Sequence, residues 1–196
     1  MGYSKTYRMK PLLERLLFYF KKIYRISISY KKYEEIVWND LKKLHKNSEW
    51  RYGVFESDKH IEAVFEIGEK TGAKFYYMVY DGQYHCRVKI IEEFSPDVTT
   101  DLFVLAAHFN NLLNSGVVVV NVQSGYVEYH TKNDLIVNLI YPGELHEQLL
   151  RHFNISKDIF WAFNKLVNEN EEPTLIIADL MRRNKKDDKD RDDTSK

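Results

Sequence analysis

Histidines, carboxylates and one thiol are the side chains of this 196-residue chain able to perform chemistry, and their spacing decides what they could do. His146 and His152 fall six apart on one predicted helix, so at roughly 100° per residue they point to different faces and do not form a metal-ligand pair. His85, His108 and His130 are isolated in sequence. Glu62 and Glu66 share one face of a predicted strand with Val64 between them, and Glu92-Glu93 sit at a strand end; nothing marks a sugar cleft beside either, and both read as solvated carboxylates rather than an acid/base pair. Cys86 neighbours His85, but on a strand the two point to opposite faces, so the cysteine reads as a small buried hydrophobe. The glycines at 68, 72, 82, 116, 125 and 143 each have a turn or cap to explain them, and no phosphate loop, nucleophile elbow or Cys-His signature is present. Asn110 and Asn114, one helical turn apart, read as holding backbone groups rather than a ligand. The sequence therefore predicts no catalytic, cofactor-binding or metal-binding residues and a protein that is not an enzyme. The alternative is a hydrolase or small-ligand-binding enzyme using the acidic body, which requires a deep cleft with at least two converging carboxylates or histidines.

The elements that must position these residues are organised around the stretch from Phe103 to His130. Leu102, Leu105, Ala106, Phe109, Leu112 and Leu113 form one apolar stripe at helical spacing, preceded by Thr99, Thr100 and Asp101 as capping residues. Gly116 is read as the helix cap, where Gly116→Val should cost about 1 kcal/mol or more through backbone strain. Val117 to Val120 then form a strand, Gln123-Ser124-Gly125-Tyr126 reverse it, and Val127, Tyr129 and Thr131 face inward while Glu128 and His130 face outward.

Phe109-Asn110, Asn114, Asn121, the turn at Gly125 and Tyr129 together resemble the pattern of the YbjN-type family of bacterial proteins, a family similar in fold to the class I chaperones of type III secretion. The resemblance spans roughly residues 49 to 169. It implies an α+β domain with an antiparallel sheet and a role in regulation or protein handling, and it brings no enzymatic residues with it.

Before this stretch, Leu12, Leu13, Leu16, Leu17, Phe20, Ile23 and Tyr24 make the apolar face of a basic helix that starts near Pro11, after loosely ordered residues 1 to 9. Ile26 to Ser29 break it, and a second helix carries Tyr33, Val37, Leu41 and Leu44. The period then changes from about 3.6 to 2, with a first strand near Trp50 to Phe55, a second around Ile61 to Ile67, and two more joined by Asp81-Gly82, a strong hairpin signal. After the second hairpin, Leu135 to Tyr141 reads as extended. A helix from Pro142-Gly143 is interrupted at Asn154 to Ser156 and resumes at Asp158, and a last helix starts at Glu171 to Thr174 and stops at Asn184. The predicted fold is α+β, an antiparallel sheet of about five or six strands packed with helices in the order α-α-β-β-β-β-α-β-β-α-α, type III secretion chaperone-like. It divides into a basic helical segment 1–48, the domain 49–184 and a disordered charged tail 185–196.

The formal net charge of +0 hides an asymmetry: residues 1 to 48 carry 12 Lys or Arg against 4 Asp or Glu, and residues 49 to 181 carry 10 against 20. Attraction between these halves within the molecule is the favoured reading, with the basic helix packing on its own domain ahead of meeting another protein or lying on an anionic membrane. Nucleic acid is disfavoured as a partner because the acidic body repels phosphates. No apolar run approaches a membrane span, Leu12 to Phe20 does not read as a signal peptide, and the single Cys86 suits a reducing cytoplasm. Around the Asp81-Gly82 hairpin, Phe75, Tyr77, Val79, Tyr84, Cys86, Val88 and Ile90 share the core face, which leaves Lys74, Tyr76, Met78, Tyr80, His85, Arg87 and Lys89 on the other. A solvated face would carry fewer aromatics, so either the N-terminal helices or a partner cover it. Tyr76, Met78, Tyr80, His85 and Arg87 are accordingly the expected contact residues for another protein or peptide, a second copy of the chain included.

Overall fold

In the computed structural model the described residues are 6–48, 50–68, 71–136 and 143–194. Two helices, α1 (Thr6–Ser27) and α2 (Tyr30–Asn47), precede the strands β1 (Tyr52–Phe55), β2 (His60–Gly68), β3 (Thr71–Tyr80) and β4 (Gln83–Ile91). A short 3-10 turn at Pro96–Val98 leads into α3 (Thr99–Leu112), then β5 (Val117–Asn121), β6 (Tyr126–Asp134), α4 (Glu144–Glu169) and α5 (Pro173–Thr194). The fold is α+β, and its six strands form one antiparallel sheet in the order β1-β2-β3-β4-β6-β5.

The β3–β4 turn is made as its sequence dictates. Asp81 and Gly82 both take positive φ, 49° and 65°, and Tyr80 pairs with Gln83 across the two-residue loop. That geometry fixes the register, so the alternation of side chains follows: Phe75, Tyr77, Val79, Tyr84, Cys86, Val88 and Ile90 are all buried beneath the helices. Burial pushes the Cys86 thiol up to about 12, which leaves it protonated and inert. On the same face lie Ile61 and Ala63 of β2 and Val127 and Tyr129 of β6, all fully buried.

α4 lies across β2, β4 and β6, α3 packs beside β5, and α5 closes over α3 and α4. α2 belongs to this layer as well: Tyr33, Val37, Trp38, Leu41 and His45 are buried, and the His45 ring rests 5.2 Å from Tyr77. Polar ties hold it there. Trp38 Nε1 donates to Glu56 Oε2 at 2.8 Å, and the Gly82 amide donates to Glu34 Oε1 at 2.9 Å. α2 is thus packed into the same core as the sheet, within the stretch 1–48 that the sequence set apart as a separate helical segment.

Several expectations change. α1 does not pack on its own domain: Leu13, Leu16, Leu17, Phe20, Ile23 and Tyr24 are between 46% and 66% exposed. It also begins at Thr6, ahead of Pro11. α3 ends at Leu112 with extended backbone at Leu113, so Leu112 is exposed and Gly116 is not a helix cap. Gly116 instead holds φ +85° at the entry to β5, with the Tyr129 ring, Thr131 and the His130 carbonyl against its α-carbon. α4 runs unbroken through Asn154 to Ser156, because the buried Ser156 hydroxyl turns back to donate to the His152 carbonyl at 2.6 Å and no glycine or proline intervenes. α5 does not stop at Asn184 but is helical to Thr194, and no glycine or proline follows Pro173 to break it. The extended reading of Leu135 to Tyr141 falls mainly outside the described residues. Leu135 and Ile136 have already left the sheet in a helical turn that Asp134 Oδ1 starts by accepting the Ile136 amide at 2.8 Å.

Candidate functional site on the open sheet face

All the packed helices lie on one face of the sheet, and the other face is left without a helical layer among the described residues. Register places its side chains in rows. Glu62, Tyr76, Arg87, His130 and Val117 run from β2 through β3, β4 and β6 to β5, and beside them run Phe55, His60, Met78, His85 and Lys132. Across the Tyr76–Arg87 row lies an open depression of about 310 Å³ lined by His60, Glu62, Tyr76, Met78, Arg87, Lys89, Tyr126 and Glu128.

Three of the five expected contact residues therefore meet in one place. Tyr76, Met78 and Arg87 line the depression; Tyr80 and His85 do not. The Tyr80 ring lies flat on His85 with centroids 4.1 Å apart and planes 2° from parallel, leaving His85 only 3% exposed. His85 is thus corrected from a surface contact to a buried support. Burial, followed by the charges of Lys132, Arg87 and His130, lowers its pKa to about 4, so it is neutral near pH 7. His130 is lowered also, by burial first, with Glu128 acting in the opposite direction from 3.8 Å away and Arg87 and Lys132 adding to the decrease.

Arg87 is the chemical centre of this surface. It is half-buried at mid-sheet, its Nε is fully shielded and meets no hydrogen-bond acceptor, and among the described residues it forms no ion pair. The neighbouring charges are already engaged: Lys89 lies 4.9 Å over the Tyr126 ring and within 3.6 Å of Glu92, while His60 stacks on Phe55 at 4.3 Å and approaches Glu62 at 3.8 Å. A partly desolvated guanidinium whose Nε lacks an acceptor favours an incoming carboxylate, and its planar fork can hold both oxygens.

The carboxylates of the depression do not converge. Glu62 on β2 and Glu128 on β6 are separated by β3 and β4, about 14 Å at one strand spacing each. Glu62 and Glu66 are four residues apart along β2, about 13 Å. Among the described residues no group of three His, Cys, Asp or Glu comes together to hold a metal. The polar spot at Thr131, Gln148 and His152, under the helices, opens only about 10 Å³.

Lys89 was legible from strand alternation and Glu128 from its outward position in the second hairpin. His60 and Tyr126 were missed: His60 reaches the depression through the pairing of β2 with β3 opposite Met78, and Tyr126 because β4 pairs with β6 rather than β5, adjacencies that period-2 patterning does not encode. Asn110 acts on backbone as expected. Its Oδ1 accepts the Val118 amide at 2.8 Å and its Nδ2 donates to the Val118 carbonyl at 3.0 Å, so it stoppers the outer edge of β5.

No family model matches the chain, and no curated protein matches it. Among solved structures the chain is similar to YbjN from E. coli, described as a candidate transcription regulator, at 12% sequence identity and a TM-score of 0.49 over 66% of this chain and 93% of that one.

Proposed function

We propose that the protein is a non-catalytic binding module of the bacterial cytoplasm, regulatory or chaperone-like, whose open sheet face receives a segment of another polypeptide. The observation that carries this reading is the half-buried Arg87, its shielded Nε without an acceptor and the side chain in no ion pair among the described residues, in a depression that Tyr76, Met78 and Tyr126 also line. An acidic side chain seated on Arg87, with apolar neighbours against the tyrosines and methionine, would satisfy both the charge and the aromatic walls.

Fluorescence anisotropy with labelled decapeptides, identical except for Glu or Gln at the central position, tests the reading. The Glu peptides should bind more tightly, and Arg87→Met should remove most of that preference, about tenfold in affinity for one desolvated charge pair. Equal binding of both peptides, or a preference that survives Arg87→Met, would reject the assignment. Tyr76→Ala should weaken both peptides alike, since the ring supplies contact area rather than charge.

A further inference from the structure

α1 is the one described element whose apolar side chains meet no packing layer. At about 100° per residue, Tyr19, Ile23, Leu16, Phe20, Leu13, Tyr24 and Leu17 occupy a continuous arc of roughly 160°, while Arg15, Lys21 and Glu14 lie outside it. Phe20 is 66% exposed and Ile23 64%, a degree of exposure that isolated surface residues tolerate but a contiguous helical face does not. The charge is equally one-sided: residues 1 to 28 hold seven Lys or Arg and only one acidic residue, Glu14.

We infer that α1 is a membrane-surface helix that lies in the headgroup plane of an anionic bilayer, apolar arc down. An arc approaching half the helix circumference matches an interface, where one whole side meets acyl chains, and is wider than the seam by which two helices pair. Tyr19 falls at one margin of the arc and Tyr24 beside Leu17 near the other, close to the depth at which a ring with a polar tip is best accommodated. A second copy fits less well, because a symmetric pair of these helices sets basic flank against basic flank. The open sheet face fits no better, since Lys74, Arg87, Lys89 and Lys132 lie there against Glu62, Glu66 and Glu128 and leave the basic helix no net negative charge to meet. The helix does not cross the bilayer: no described helix is long and apolar enough.

The test uses the full chain and sedimentation with vesicles, either phosphatidylcholine alone or a mixture with phosphatidylglycerol. The chain should pellet with the anionic vesicles and remain in solution with the neutral ones. Leu16→Asp combined with Phe20→Asp should abolish pelleting, and Arg15→Gln combined with Lys21→Gln should weaken it by about 25-fold, at roughly fivefold per charge. These positions are outside the core, so far-UV circular dichroism and the urea midpoint of the domain should be unchanged, which separates loss of binding from loss of folding. No pelleting with either vesicle, equal pelleting with both, or undiminished pelleting of the Leu16→Asp/Phe20→Asp chain overturns the inference. Sedimentation equilibrium showing a dimer that this variant dissociates, with no vesicle binding, overturns it in favour of a second copy.

Discussion

Gly116 shows how much one missing side chain can carry. A β-carbon there would lie 2.6 Å from Thr131 Cγ2, 2.7 Å from Tyr129 Cε2 and 2.8 Å from the His130 carbonyl oxygen, on backbone already at φ +85°. Strain and overlap act together, so Gly116→Ala should destabilise by roughly 2 to 4 kcal/mol in urea unfolding, more than backbone strain alone would give. A loss below 1 kcal/mol would mean that the loop simply shifts. His152 makes a second prediction at this scale. Its ring stacks on Tyr129 at 4.7 Å beneath the helices, and burial, with a smaller contribution from His130, lowers its pKa from 6.5 to about 3. Between those values the unfolded chain binds a proton that the native state does not, so stability falls as pH drops from 6.5 towards 3, by at most about 1.4 kcal/mol per pH unit. His152→Phe, which keeps a ring on Tyr129, should flatten that slope; an unchanged slope would assign acid sensitivity elsewhere.

At the scale of elements, α3 and the β5–β6 hairpin hold one another through both a ring and an amide. Phe109 is buried and lies 5.9 Å from Phe163 of α4, so Phe109→Ala should cost roughly 3 to 5 kcal/mol by thermal or urea unfolding. Asn110→Ala removes two hydrogen bonds from Val118 and should cost about 1 to 3 kcal/mol. Asn110→Asp should not rescue it, because a carboxylate oxygen then opposes the Val118 carbonyl. Recovery with aspartate would show that only the bond from the Val118 amide matters. Helix existence and strand alternation were legible because apolar periodicity is written locally. The continuous α4 was not, because the Ser156 hydroxyl is accommodated by its own helix, a compensation that composition does not reveal.

At the scale of the molecule, an antiparallel sheet of about five or six strands packed with helices was readable from residue order, whereas which face the helices cover was not. The strand neighbours were not: pairing of β4 with β6 depends on how α3 returns the chain. The site followed the same division. Tyr76, Met78 and Arg87 could be placed on one face from the Asp81-Gly82 hairpin alone, whereas the burial of His85 required Tyr80 to fold down over it. Nor could opposite charge in the two halves reveal that only α2 joins the domain while α1 stands off it.

The two margins of the sheet are not equivalent. Asn110 occupies the outer backbone of β5, while β1, four residues long with Gly53, Val54 and Phe55 exposed, presents its outer backbone to solvent. Lateral growth is therefore less hindered at β1 than at β5, where Asn110 occupies the Val118 groups and α3 packs alongside, so copies that zip together at β1 would favour pairs over fibrils.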